Sequence, residues 1–279
     1  MLHPVGRPDA STGPGAARGD VGGAALRTAD YAMGTVVTFE LRVADGAHAL
    51  ASQALRRSRA HLHHADEVLS TWRPDSPLNR LRREEITLAQ APPEVAEILW
   101  SCADARRLSS GWFDPWAAPG GVDPTGMVRG WSLNGALDVL RRAGVRAARI
   151  NAGSVAAAYG CAAAGPPLDR PETHVDLTGG VPLLTAATEQ ITAVATAPAG
   201  DGAEGRPVAT VAGPDPGLAE ALAAAVLSAG PDEGLGVVAR IPGYCARMVD
   251  QMGRVRATPG FSPDVASKAP RRRWGPRAA

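Results

Sequence analysis

The residues best suited to chemistry lie in one stretch, residues 110–135, reading SGWFDPWAAPGGVDPTGMVRGWSLNG. It holds three Trp, one Phe, two Asp and six Gly, in a chain that is only 4% aromatic, so the concentration asks for a reason. Trp112, Phe113 and Trp116 supply flat apolar faces, with the Asp114 carboxylate set among them. Gly120, Gly121 and Gly126 around Asp123 spell a tight turn, and a helix is predicted behind it from Met127 to Arg142. A glycine turn feeding a helix start leaves backbone N–H groups unpaired at the positive end of the helix dipole, a ready seat for an anion. Aromatic faces beside such a turn point to a nucleotide with a flat ring. The same residues also suit a packed loop whose Trp and Pro fill a small core, and the pattern alone does not separate the two.

Other candidates are sparser. Glu220 lies in an Ala-rich stretch predicted helical over 217–227, and the position one turn on, which shares its face, is Ala224. His61, His63 and His64 fall inside another predicted helix. No H-E-x-x-H pattern or third ligand accompanies them, so an exposed polar face is expected instead of a metal site. Cys102, Cys161 and Cys245 form no C-x-x-C pair, which argues against a disulfide framework or a zinc site.

The elements that must position these residues follow from periodicity. Val37, Phe39, Leu41 and Val43 alternate with polar residues, as a half-buried strand does. After Asp45-Gly46, the residues Leu50, Ala54, Leu55, Leu62, Ala65, Val68 and Leu69 fall on one helix face. Asp75 and Ser76 are placed to cap a short helix. Pro92-Pro93 opens a further helix with Val95, Ile98, Leu99, Cys102 and Leu108 toward the core, ended by Gly111 as its C′ residue. Strands are predicted over 148–151, 191–196 and 208–213, and a hairpin over 244–258. This irregular alternation predicts an α+β fold with a mixed or antiparallel sheet and packed helices, not a doubly wound parallel sheet. Residues 1–28 read as a disordered leader, 29–261 as a single domain, and 262–279 as a basic flexible tail.

The run FDPWAAPGGVDPTGMVRGW resembles the signature of the ApbE-type FAD:protein FMN transferases, particularly members reading F-D-P-W…D-P-S-G-L-V-K-G-W. The similarity extends, with gaps, from about Tyr31 to Phe261. Met33-Gly34-Thr35 matches the family's M-G-T, and LSTWRPDSPLNRL at 69–81 matches L-S-x-[YW]-x-x-D-S-x-[LV]-x-x-[LI]. The resemblance implies an ApbE-like fold. It also implies an activity that splits FAD and moves FMN, with Mg²⁺, onto a Thr or Ser hydroxyl of a target flavoprotein acceptor. Met33 would lie against the flavin, Trp72 would stack on isoalloxazine or adenine, and Trp112, Phe113 and Asp114 would line the cofactor. Asp123 would contact FAD, and Arg129, where the family has Lys or Glu, would hold the diphosphate; these two carry the expected catalytic role. The implied metal set is Gly126 through its carbonyl, with Gly217 and Glu220 from the later helix.

The chain departs from the family in three places. Val155 stands where N-x-G-G-D has Asp, and Glu220 and Ala224 stand where A-D-x-L-x-T has Asp and Thr. The loop H-I-x-D-P-x-T-G, due after the strand at 191–196, is missing, and the echo HVDLTG at 174–179 precedes that strand. Two outcomes are therefore implied: an active FMN transferase, or a catalytically impaired homologue that binds FAD or serves as a protein-interaction scaffold.

Composition sets the outer bounds. A formal net charge of +1 argues against nucleic acid as an obligate partner. No apolar run of transmembrane length is evident in the sequence and the N-terminus has no hydrophobic core of a signal peptide, so no membrane insertion and a cytoplasmic location are expected.

Overall fold

The computed structural model describes residues 24–160, 175–176, 183–184, 191–198 and 206–261. In chain order these form β1 (Ala24–Ala32), β2 (Thr35–Val43), α1 (His48–Leu69), α2 (Pro77–Arg82), α3 (Pro93–Leu108), α4 (Thr125–Arg142), β3 (Ala147–Ala152) and β4 (Val155–Tyr159). Then come β5 (Val175–Asp176), β6 (Leu183–Leu184), β7 (Thr192–Pro198), β8 (Val208–Gly213), α5 (Pro216–Ala239), β9 (Cys245–Val249) and β10 (Val255–Ala257). Eight strands make one sheet in the order β1-β2-β3-β4-β7-β8-β9-β10, and every pairing in it is antiparallel. The expected α+β class holds, with the antiparallel alternative realised throughout the described strands.

The alternation in β2 does what period 2 predicts: Val37, Phe39 and Leu41 are fully buried on the inner face. On the outer face Glu40 is buried too, because Arg149 of β3 and Arg27 of β1 both pair with it. α1, α4 and α5 cover the inner face. Leu62, Leu133, Leu137, Leu140 and Leu222 pack there against Phe39 and Ile150. A second core joins Val68 and Leu69 to Leu78, Val95, Ile98, Cys102, Phe113 and Met127.

Some expectations need correction. Leu50, placed on the core face of α1, is 63% exposed; the helix starts only at His48, so its first turn overhangs the sheet. β1 starts at Ala24, ahead of the boundary expected at residue 29, because residues 24–28 pair with 39–43 of β2. The α3 helix ends one residue early: Ser110 is the first left-handed residue (φ 57°) and Gly111 follows it (φ 86°). α5 contradicts the reading that no stretch is long and apolar enough to cross a membrane. It has that length and composition, and its place over the centre of the sheet accounts for both, with Ala219, Leu222, Val226 and Val238 buried in the first core. It is interrupted at Gly230 (φ 78°, ψ 177°), just before Pro231.

The placement of α4 against α5 matters most for the site. They cross so closely at Gly130 that a Cβ there would lie 2.1 Å from the Pro216 carbonyl oxygen.

Candidate functional site

Four elements converge at one end of the sheet. Met33-Gly34 forms the two-residue turn between β1 and β2, with positive φ at both residues (52° and 70°). Such a turn matches the twist of a hairpin but costs a side-chain-bearing residue about 1 kcal/mol, so Met33 is held in a conformation that Gly or Asn would adopt more readily. Gly153-Ser154 turns β3 into β4 (Gly153 φ 57°). Because Val37 pairs with Ala152, both turns leave the sheet at the same end. A Cβ on Gly153 would lie 3.2 Å from Thr35 Oγ1 and 3.4 Å from Arg129 Nη1, so the three meet closely at a turn where only glycine fits without crowding.

Arg129, on the second turn of α4, spans the gap. Its Nη1 donates to Ser154 Oγ at 3.1 Å, and its Nε lies 3.8 Å from Glu220 Oε1. Glu220 comes from α5, whose first turn is capped by Asp215 accepting from the Leu218 N–H at 2.7 Å. The Gly130 N–H, which a regular helix would give to the Gly126 carbonyl, donates to Glu220 Oε2 at 2.9 Å. The Glu220 carboxyl is buried, and that burial pushes its pKa up to about 7. The Arg129 charge and the backbone N–H groups of Gly130 and Arg129 act the other way and do not overcome it.

The expected aromatic residues divide. Trp72 is 90% exposed, at the rim of a hollow of about 360 Å³ that it shares with Thr71, Asn79, Arg82 and Gly120. Its loop is tied down by Asn79 Nδ2, which donates to the carbonyls of Ser70, Thr71 and Arg73. Arg82 holds Asn79 Oδ1 at 3.0 Å and also backs the glycine turn, with its Cβ 3.6 Å from a Cβ position on Gly121. Trp72 and the glycine turn therefore belong to one surface. Phe113 differs: it is buried in the second core, and its ring lies 3.0 Å from a Cβ position on Gly126. It offers no open face for a cofactor, and the packed-loop alternative is the better description of it. Trp112 is partly exposed, and Trp116 edges a separate hollow beside Arg106 and Arg107.

The two aspartates are committed locally. Asp114 accepts from the Trp116 N–H at 3.0 Å and pairs with Arg106 Nε at 2.9 Å. Asp123 accepts from the Thr125 N–H at 3.0 Å, fixing the entry to α4. Of the expected set, Met33, Arg129 and Glu220 thus belong to one neighbourhood with Gly126 and Gly130 on the adjoining turns of α4. Thr35 and Ser154, which the sequence reading gave no role, join them; Thr35 was visible there only as the last residue of the M-G-T match, and Ser154 only by its place beside a turn glycine. His174, in the echo of the missing loop, lies outside the described residues.

A Mg²⁺ ion takes about six oxygens at roughly 2.0–2.1 Å. Among the described residues no group of three His, Cys, Asp or Glu could hold a metal. Glu220 is the carboxylate of this cluster, yet one of its oxygens accepts the Gly130 N–H and the other faces a guanidinium. Ala224 supplies no oxygen, and Gly217 serves packing, with a Cβ position 3.1 Å from the Trp131 nitrogen and 3.4 Å from Met127 Cγ. Of the implied set the Gly126 carbonyl alone remains an uncommitted type of oxygen donor, and with Glu220 so engaged the side chains present do not make a Mg²⁺ shell.

Residues 33–120 match the ApbE family. Among solved structures the chain is similar to the flavin transferase ApbE from Vibrio cholerae, with a TM-score of 0.66 at 16% identity over 86% of this chain and 99% of that one. The flavinyl transferase ApbE of Pseudomonas stutzeri, in its apo form, gives 0.66 at 17% identity over 86% and 97%. The ApbE protein of Thermotoga maritima gives 0.65 at 15% over 85% and 98%. At these identities the likeness is one of fold. No curated protein matches the sequence significantly.

Proposed function

We propose that the chain is an ApbE-family flavin transferase that binds FAD and passes FMN to a Thr or Ser hydroxyl of a target flavoprotein, a reading supported by the family match over residues 33–120 and by the shared fold. The observation that carries this reading is the meeting of the Met33-Gly34-Thr35 turn, the Gly153-Ser154 turn and Arg129 at one end of the sheet. Hydroxyls and a guanidinium gathered at a glycine turn suit a diphosphate, and Met33 beside them suits an apolar ring.

In the proposed reaction the acceptor hydroxyl oxygen forms a bond to the flavin-side phosphorus. The bond from that phosphorus to the bridging oxygen breaks, and AMP leaves with that oxygen and its charge. The hydroxyl proton passes to solvent. Such transfer asks the protein for position and charge neutralisation more than for covalent chemistry. Arg129, braced by Ser154 and countered by Glu220, supplies a fixed positive charge, and Trp72 with Arg82 offers a face for the second ring. No step in this scheme passes through a metal ion.

A second reading, a homologue that holds FAD without transferring it, is supported by the commitment of Asp114 and Asp123 to local backbone bonds. One experiment separates the two. The purified chain is titrated with FAD by flavin fluorescence, then incubated with FAD and a Thr-containing flavoprotein acceptor while AMP and protein-bound flavin are measured. Saturable binding with equal amounts of AMP and bound flavin is expected. Saturable binding without AMP would favour the second reading, and no binding would end both.

A further inference from the structure

We propose that the Arg129 guanidinium is the resident cation of this site, and that it holds the diphosphate of a dinucleotide without a divalent metal ion. The naming of a flavin nucleotide rests on the function proposed above; the anion chemistry does not.

The geometry favours an organic cation over a metal. Arg129 is anchored at both sides, by Ser154 Oγ at 3.1 Å and by the Glu220 carboxylate at 3.8 Å. Its guanidinium has five N–H donors, and the bond to Ser154 uses one, so a fork remains for a phosphate. Thr35 Oγ1 and Arg129 Nη1 both border the Gly153 turn, 3.2 and 3.4 Å from its Cβ position, so an anion seated over that turn would meet a hydroxyl and a charged N–H together. Glu220 cannot serve two cations equally. One oxygen takes the Gly130 N–H and the other faces Arg129, so a divalent ion would have to displace the guanidinium to gain a single carboxylate oxygen. Among the described residues no group of three His, Cys, Asp or Glu side chains is placed to hold a metal ion. Glu220 therefore acts as a positioning residue, fixing the angle of Arg129 across the α4–α5 crossing.

The test uses the whole protein. FAD is titrated by flavin fluorescence in EDTA and again in excess Mg²⁺, and Mn²⁺ alone is titrated by electron paramagnetic resonance. Affinity for FAD equal within about twofold in the two buffers is expected, with no saturable Mn²⁺ binding. Arg129→Gln is expected to weaken FAD, and inorganic diphosphate measured by calorimetry in EDTA, by about tenfold or more, the scale of a charge-assisted hydrogen bond. Tightening of FAD by about tenfold with Mg²⁺, or stoichiometric Mn²⁺, overturns the proposal while leaving flavin binding intact. The reverse separation is as clear. If FAD never binds but diphosphate binds in EDTA and is lost in Arg129→Gln, the flavin reading fails and this proposal stands. Wild-type diphosphate affinity in a folded Arg129→Gln protein overturns it. The metal titrations need no variant, so a failure of Arg129→Gln to fold leaves the proposal open to refutation.

Discussion

His61 lies on the side of α1 turned toward α4, its ring 6.2 Å from that of Trp131 and tilted by 33°. A Cβ on Gly135 would come within 2.3 Å of its Nε2, and that nitrogen is buried without a partner among the described residues. Burial lowers its pKa and the charge of His64 adds to this; the Ser132 backbone and Glu94 act the other way and do not reverse it. The sign follows from linkage. Below about pH 6.5 the unfolded chain takes up a proton that folded His61 resists, so this residue's contribution to stability falls as the pH drops. His61→Phe keeps a flat ring beside Trp131 and is expected to lose less stability between about pH 7 and about pH 5 in urea melts. An unchanged pH slope would refute the assignment. His63 and His64, exposed and paired with Asp30 and Glu94, have the polar face expected of all three. Sequence could not single out His61 because what buries it is α4, more than 60 residues away by number. The same holds for Asp114 and Phe113. Their types were conspicuous, but Arg106 and Gly126, which decide what they do, are known only from the packed helices. Arg129 was legible as a phosphate-holding candidate; its tether to Ser154 was not.

At the scale of elements, the crossing of α4 and α5 sets the geometry of the site. Glu220 can receive the Gly130 N–H only because neither Gly130 nor the α5 start keeps the helices apart. Replacing a helical glycine by alanine ordinarily gains about 0.5–1 kcal/mol. Here the added methyl would meet the Pro216 backbone at 2.1 Å, which no side-chain rotation relieves. Gly130→Ala is expected to cost about 3 kcal/mol net, at the upper end for overpacking. Gly126→Ala, whose methyl would meet a Phe113 ring edge at 3.0 Å, lets the ring tilt and should cost less than about 1 kcal/mol. Equilibrium denaturation of the two variants gives the order, and a costlier Gly126→Ala would show that the crossing is not what holds α4. Periodicity revealed β2 and α1 because each buries one clear face, and α3 by its core positions, while α4 and the first part of α5, which feed both cores, were read from the glycine turn and from the Ala-rich composition. It missed β1 altogether, an edge strand paired on one side only, whose sequence shows no clean alternation. It also missed the end of α5, since Gly230-Pro231 reads as a stop while the chain resumes its helix beyond it.

Across the whole molecule, two cores are joined by shared helices. α4 buries Leu133, Leu137 and Leu140 in the sheet core and Met127 and Val128 in the helical core, while α5 gives Leu222 and Val226 to one and Ala221 and Ala225 to the other. Neither core can melt without exposing one face of both helices, so the fold should unfold as one cooperative unit. The tryptophans make this testable. Five of the six tryptophans, Trp72, Trp100, Trp112, Trp116 and Trp131, stand on α3, α4 or the loops around the helical core, and Trp274 lies outside the described residues, so in a Trp274→Phe background their fluorescence reports that side. Far-UV circular dichroism reports sheet and helices together. Coincident midpoints are expected from the two probes. Ile98→Ala in the helical core and Leu137→Ala in the sheet core should each cost about 3 kcal/mol and move both probes alike. Arg129 and Glu220 sit where the cores meet, so FAD bound there should raise both midpoints by the same amount. If Ile98→Ala lowered the fluorescence midpoint alone, the helical core would be a separate unit, and the Arg129–Ser154–Glu220 set would open before the sheet melts.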